Sequence, residues 1–594
     1  MVQRHPMRRA TAVVVLLGLL AAGLAGCGGA REHRDDAHRR GGVLKISGSS
    51  PPDHFDTAAA YSAEARGFSR NFARTLFGNR ASETFTETIP VVPDMAVELP
   101  TRGNGGVSAD GRTYTIKVRA GVAWNSRPPR EVTAGDFVRG IERQCNPAAP
   151  AGVPYYRSLI VGMEAFCAGY AKVPANSAAA MAAYQNGHDI RGLTALDDRT
   201  LTVRLIRPAA DFLEVMGMSF AAAAPKEYDA YIPDGPEFRQ RTISNGPYQL
   251  TAVSDRRLVL DRNPVWKQPA DPLRNQYVDR IEVNLGQDSP DAVQQQIEQG
   301  TADLSWDNPV PTAAIQRLIQ TKDPNFKIYD NPNLSPFLVF NLQSPNNGGA
   351  LAKREVRQAI AYAIDKSAIV KIYGGRTIAR VVNGSIPPNT VGYQPFNPYP
   401  AKDDAGDPAR CRRLLAQAGH PTGLTLRFPF RISGNHARTA QSIQANLQAC
   451  GITTRLTSDS GTTFYKKMLA NPQDAKAGVW DIAAPGWTPD WYGNNGRSML
   501  QPLFDGRLYG PGSPDFGGYN NPVVNTLMDR AMAARSRAES ARLWHQVDRR
   551  IMQDAPIVPL VTVRLATYKS ARVRNALFMP TTQMFDLSRI WLAT

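Results

Sequence analysis

"VDRIEVNLGQDSPDAVQQQIEQGTADLSW", residues 278–306, fits a strand, a helix and a second strand into about thirty positions. Ser289-Pro290 is a helix start and Gly300 a helix end, so the stretch is a βαβ unit and points to an α/β fold. Upstream, "LDDRTLTVRLIRP" (196–208) and "NGPYQLTAVSDRRLVLDRNPVW" (245–266) read as antiparallel hairpins, the first turning at Asp197-Asp198. Earlier still, Asp110-Gly111 precedes a strand in which Tyr114, Ile116 and Val118 alternate with polar residues. Thr133 and Asp136 then open a helix that sets Phe137, Val138 and Ile141 on one face.

Downstream of about residue 335 the pattern changes. "FLVFNLQ" (337–343) is a strand, and Val356, Ala359, Ile360, Ala363 and Ile364 stand at helical spacing before Gly374-Gly375. Asp407, Pro408 and Gly419 bracket a further helix, Leu424, Leu426 and Phe428 form a strand, and Asn435 begins the helix that ends at Cys450. This alternation predicts a second α/β domain with its own sheet. The helix beginning near Ser540 leads into the apolar strand "IVPLVTV" (557–563), which is expected to return to the first domain.

A chain of 594 residues exceeds what one core organises, so several domains are expected. The net charge is +17, from 69 Lys and Arg against 52 Asp and Glu, but the cations are spread along the chain rather than gathered into a stripe with aromatics. That distribution argues against a nucleic-acid partner.

The N-terminus places the protein outside the cytoplasm. Arg4, Arg8 and Arg9 precede an uncharged run, residues 10–24, too short to span a membrane but suited to a signal peptide. The run ends in Leu24-Ala25-Gly26-Cys27, which resembles the lipobox of bacterial lipoproteins, where the cysteine thiol carries a diacylglycerol. Residues 28–42, "GGAREHRDDAHRRGG", are too charged to build a core and read as a flexible tether. Four cysteines remain, and an even number in an exported chain implies two disulfides. Sequence proximity favours Cys145 with Cys167 and Cys411 with Cys450. The second pair meets an objection: Cys411 lies in the first turn of one helix and Cys450 in the last turn of the next, which parallel neighbouring helices hold apart.

No recognised chemistry appears. The eight histidines include no His-Glu-x-x-His, and there is no Cys-x-x-Cys, nucleophile elbow, Walker loop or Gly-x-Gly-x-x-Gly after a strand. No catalytic residue, metal or cofactor is assigned. Paired acids such as Asp35-Asp36, Asp197-Asp198 and Asp403-Asp404 sit in polar or turn contexts and read as solvated surface. Binding therefore leads over catalysis.

Several stretches together resemble the family 5 extracytoplasmic solute-binding proteins of ABC importers, the oligopeptide, dipeptide and nickel group. They are "GGVLKISGSSPPDHFD", "DGRTYTIKVRAGVAW" with "REVTAGDFVRGIER", "SNGPYQL" with "LDRNPVW", "GTADLSW", "FNLQSP" with "REVRQAIAYAIDKSAIV", "DPARCRRLLAQAGHPTGL", "WDIAAPGWTPDWY" and "GGYNNPVVNTLMDRA", in the family's order. The resemblance implies a two-lobed periplasmic-binding-protein clamp with an inserted domain in its first lobe and a ligand cleft between the lobes. After a signal peptide (1–26) and the lipidated Cys27 with its tether (27–42), lobe I takes residues 43–60, 190–334 and 550–594. The inserted subdomain takes 61–189, and lobe II takes 335–549. Crossings near 334–341 and 540–556 are the expected hinges.

By the same resemblance, Asp490 in "GWTPDW" (486–491) pairs with the α-ammonium of a short peptide. The backbone at Gly486 to Thr488 and at Ser49, Ser50 and Pro51 holds the peptide as an added strand. Arg431, in the loop of "FRISGNHAR", reads either as a solvated arginine, the reading its loop favours, or as the residue that takes a ligand carboxylate. Trp487 and Trp491 read either as core or as platforms that stack on a ligand side chain or sugar ring. The sequence departs from the peptide-binding pattern after the acid, reading "PDWYGNN" (489–495) where an Asp-Pro pair is common. The implied protein is a monomeric, lipid-anchored receptor on the outer face of the membrane that hands short peptides to an ABC permease. The alternatives are the same fold binding an oligosaccharide, siderophore or metal chelate, or an exported hydrolase.

Overall fold

The computed structural model describes residues 39–150, 155–432, 434–459, 463–534 and 536–593. The signal peptide, Cys27 and most of the tether lie outside the described residues. Among the described residues no helix is long and apolar enough to cross a membrane.

The βαβ unit forms as read, with an addition that sequence order hides. The strands Arg280–Asn284 and Leu304–Ser305 do not touch; Val43–Ser47 lies between them, parallel to both. Arg257–Arg262 and Tyr248–Val253 complete a five-stranded sheet in antiparallel fashion. Leu44, Ile46, Ile281 and Val283 bury one face against Phe68, Phe72 and Trp306, which makes the core of lobe I.

The inserted subdomain has its own three-stranded sheet, Thr113–Lys117, Thr200–Arg204 and Leu193–Asp197, covered by the helices Ala134–Arg143 and Met163–Tyr170. Its limits differ from the expected 61–189. Phe68 and Phe72 belong to the lobe I core, whereas Leu201, Val203, Phe212 and Phe220 belong to the core of the insertion. The two hairpins that look like one block in sequence thus enter different sheets, because each apolar face follows the core it can reach rather than its neighbour in the chain. Cys145 and Cys167 are bonded, with Cα atoms 4.8 Å apart.

Lobe II is built around the strand Phe337–Phe340. Phe337 and Val339 enter one core with the helices Gly496–Phe504, Pro522–Met532 and Arg537–Asp554; Leu338 and Phe340 enter another with Arg354–Ala363 and His436–Ala449. A strand covered by helices on both faces must be apolar at every position, as "FLVF" is. "IVPLVTV" follows the same rule and corrects the expected return to lobe I. Ile557–Pro559 pairs with Phe337–Phe340, and Val561–Val563 pairs with Ala379–Val381. The chain re-enters lobe I only at Leu565–Tyr568, which pairs with Phe326–Tyr329.

The two crossings therefore run side by side, at residues 330–334, at the start of the expected 334–341, and at 563–565, beyond the expected 540–556. Asn333 ties them together: its Nδ2 donates to the Val563 carbonyl at 2.8 Å, and its Oδ1 accepts the Val563 N–H at 3.1 Å.

Leu424–Arg431 and Ile452–Asp459 are parallel and are joined by His436–Ala449. Cys411 and Cys450 are bonded here too, with Cα atoms 5.8 Å apart. The objection to this pair fails because the helix Pro408–Gln417 packs along Arg354–Ala363, and its first turn meets the end of His436–Ala449. Arg412 of that turn donates to the Ala449 carbonyl at 2.5 Å.

Candidate functional site

The segment after the strand Ile482–Ala483 begins in lobe II and ends against the inserted subdomain. Trp487 and Leu334 exchange both backbone hydrogen bonds, at 2.7 and 2.9 Å, and the indole of Trp487 donates to the Ser498 carbonyl at 2.9 Å. Since groups along a strand point alternately to opposite sides, the C=O of Gly486 and the N–H of Thr488 face away from Leu334. Among the described residues no backbone hydrogen bond of the chain uses either group. The N–H of Gly486 is taken by the Tyr465 hydroxyl at 3.1 Å.

Asp490 leaves lobe II and is buried at its contact with lobe I and the insertion, 5% exposed. Its Oδ2 accepts the hydroxyls of Tyr155 at 2.7 Å and Tyr61 at 3.3 Å. Arg66 donates from Nη1 to the Asp490 backbone carbonyl at 3.1 Å and stands 3.9 Å from Oδ1. Burial raises the carboxyl above the usual range, against the opposing pull of Arg66 and the two hydroxyls. The same burial and the nearby carboxylate push both tyrosines well above their ordinary value, so they remain neutral donors. Asp490 is thus a desolvated carboxylate compensated by two dipoles and one cation outside hydrogen-bond distance.

Trp491 packs edge-on against Tyr155, with ring centroids 4.8 Å apart, and joins the insertion's core. Trp487 packs half-buried on the lobe II core. Tyr492 donates to Asn331 Oδ1 at 3.0 Å, beside the first crossing. Arg497 crosses in the same direction: it lies over the Tyr155 ring, donates to Ser158 Oγ at 3.0 Å and faces Asp211 at 3.6 Å.

A small cavity of about 80 Å³ lies beside Asp490. Thr57, Arg66 and Ser69 line it from lobe I, Glu214 from the insertion, Asp490 from lobe II and Thr582 from the C-terminal return. The short helix Ala63–Ser69 positions Arg66, and Ser62 caps it by accepting the Ala65 N–H at 3.1 Å. Ser62→Ala is expected to cost about 1 kcal/mol, read as a shift of the denaturant midpoint.

The amides of Ser49 and Ser50 donate to Asp307 at 2.8 and 3.2 Å, the Ser49 hydroxyl bonds the same carboxylate, and the Ser49 carbonyl accepts from Gly286. Arg431 lies over the rings of Phe464 and Tyr465, 5.6 and 5.2 Å from their centroids, and bonds His436 Nδ1 at 3.2 Å. Burial and Arg431 hold His436 down at about 3, so its neutral imidazole accepts that bond. Among the described residues Arg431 forms no ion pair with a carboxylate, and no group of three metal-ligating side chains occurs. Tyr61, Arg66, Tyr155 and Glu214 escape sequence reading. Tyr155 and Asp490 are 335 positions apart, and no local spacing marks either tyrosine.

A family model described as bacterial extracellular solute-binding proteins, family 5, middle, matches residues 90–507. The chain belongs to this family, the family 5 solute-binding proteins of ABC importers. Among relatives of this binding protein, the dipeptide-binding protein of Escherichia coli is 27% identical over 427 residues, covering 69% of this chain and 70% of its own. Heme-binding protein A of Haemophilus influenzae is 25% identical over 481 residues, covering 76% and 77%. Among solved structures, a clavulanic acid biosynthesis oligopeptide binding protein superposes with a TM-score of 0.82 at 25% identity, over 94% of this chain and 96% of its own. A periplasmic binding protein DppA from Helicobacter pylori in complex with the peptide STSA gives 0.74 at 20% identity, over 94% and 100%. The clamp expected from the sequence is the fold of this binding protein.

Proposed function

We propose that this protein is the receptor of an ABC importer for short peptides, held on the outer face of the membrane by a lipid on Cys27. The observation that carries the reading is Asp490: a carboxylate taken out of water at the meeting of both lobes, with neutral tyrosines as its hydrogen-bond donors. A peptide α-ammonium adds a direct charged donor to a carboxylate whose one cation, Arg66, stands 3.9 Å away, and in a closed cleft that contact is stronger than at a surface.

The C=O of Gly486 and the N–H of Thr488 then hold the peptide backbone in the manner of an added strand, which tolerates varied side chains. Arg431, which has ring faces beside it and no carboxylate paired with it among the described residues, receives the peptide's terminal carboxylate. In this reading the hinge at 330–334 and 563–565 closes the lobes on the peptide, and the closed form docks on the permease. Nothing in the site calls for bond breaking, and the role is capture.

Relatives include a dipeptide-binding, a glutathione-binding and a heme-binding protein, so the solute is decided by the cavity and not by the fold. Mass spectrometry of the ligand released by denaturing the purified protein tests the reading. Short peptides with free amino termini are expected. Recovery of sugar, haem or a metal complex alone would refute it.

A further inference from the structure

The cavity beside Asp490 holds a second carboxylate, for which the described residues supply no counter-ion. Glu214 lies on the helix Phe212–Val215 of the insertion and lines the same space. Its partner across the cleft is the N–H of Asn494, and its Oε1 lies against Gly493. Among the described residues no cation stands within ion-pair distance of it. Burial foremost, and then the Asp211 carboxylate, push it up to about 7; Arg537 pulls the other way from beyond ion-pair distance. The guanidiniums along the cavity are each occupied. Arg66 is held by Asp490, Arg70 by Asp586, and Arg274 by Asp94 and Asp271.

Resting on the reading of Asp490 as the ammonium receptor, we propose that Glu214 selects peptides whose first residue carries a basic side chain. Gly493, against which Glu214 lies, is three residues beyond Asp490, a span of at most about 10 Å. The side-chain cation of an amino-terminal lysine or arginine lies within that reach of its own α-ammonium. Two cations on one residue thus meet two carboxylates in one cavity, one of them, Glu214, without a cation within ion-pair distance among the described residues. An acidic first side chain would add a third negative charge and is rejected, which makes the cavity selective by repulsion as well as by attraction.

The test is calorimetric titration of the full-length protein, freed of ligand, with lysyl-dialanine and trialanine. The wild-type protein is expected to prefer the lysyl peptide by on the order of tenfold. Glu214→Gln, which keeps the side chain's shape, is expected to bring the two affinities together, with far-ultraviolet dichroism checking the fold. Equal affinities in the wild type, or a preference that survives in Glu214→Gln, would overturn the assignment of Glu214. Failure of both peptides to bind the wild type would instead overturn the reading of Asp490 on which this rests.

Discussion

Asp490→Asn is expected to weaken binding of free-amine peptides by about a hundredfold to a thousandfold without unfolding the protein. An asparagine fills the same volume and can still accept the Tyr155 and Tyr61 hydroxyls, so the lobe contact survives. The ligand's ammonium, however, would be desolvated with no negative partner. Leaving a buried charge unpaired costs roughly 3–5 kcal/mol, which converts to at least that loss of affinity.

The empty protein should respond in the opposite sense. Burial raises the Asp490 carboxyl, so the folded state holds the proton more tightly than the unfolded chain does. Stability from this group is therefore complete below the ordinary carboxylate range and falls as the pH rises through the raised value. At neutral pH the amide removes that loss, and the unliganded variant is expected to melt no lower than the wild type. Acidification should likewise weaken peptide binding from a higher pH than an exposed aspartate would give. Titration calorimetry with a peptide and its N-acetylated form decides the matter: an affinity for the free peptide within twofold of wild type would show that Asp490 is not the receptor.

Asp94→Ala is expected to be the most destabilising change near the cavity. Arg74 donates to Asp94 Oδ1 from Nε and Nη2 at 2.9 and 2.7 Å, and Arg274 donates to Oδ2 at 2.8 Å. Asp271 faces both guanidiniums, at 3.6 and 3.3 Å, and all four side chains are shut off from water. Removing Asp94 leaves two buried cations sharing one carboxylate, at a cost of about 3–5 kcal/mol. The loss is read from the midpoint of denaturant unfolding at unchanged slope; a shift equivalent to less than about 1 kcal/mol would show that water repairs the gap.

Asp271 itself sets an acid limit. Burial alone would raise it, but Arg274 and Arg74 hold it well below the usual carboxylate range. Its contribution is thus present above the unfolded value near 3.9 and is lost only as the pH falls towards the depressed folded value.

The helices and strands were largely legible. Ser289 and Asp407 each cap a helix with Pro at the next position, and "FLVF" announces a strand buried on both faces because no position in it is polar. Local chemistry of this kind acts over a few residues and needs no partner. What failed to appear was membership. "IVPLVTV" reads as a strand from its composition, but composition does not say which sheet offers the two apolar faces it needs, and that sheet is in lobe II. The disulfide between Cys411 and Cys450 posed the same problem in reverse, since its apparent obstacle depended on a helix neighbour that the fold does not provide.

The sequence by itself determined the α/β class, the family, the two-lobed plan and the singling out of Asp490, because these rest on short-range patterns and on an ordered set of motifs. Only the tertiary structure decided what surrounds that carboxylate. Tyr61, Arg66, Tyr155 and Glu214 come from segments hundreds of residues away. Their chemistry arises when burial removes water from groups that, in the unfolded chain, are ordinary solvated side chains.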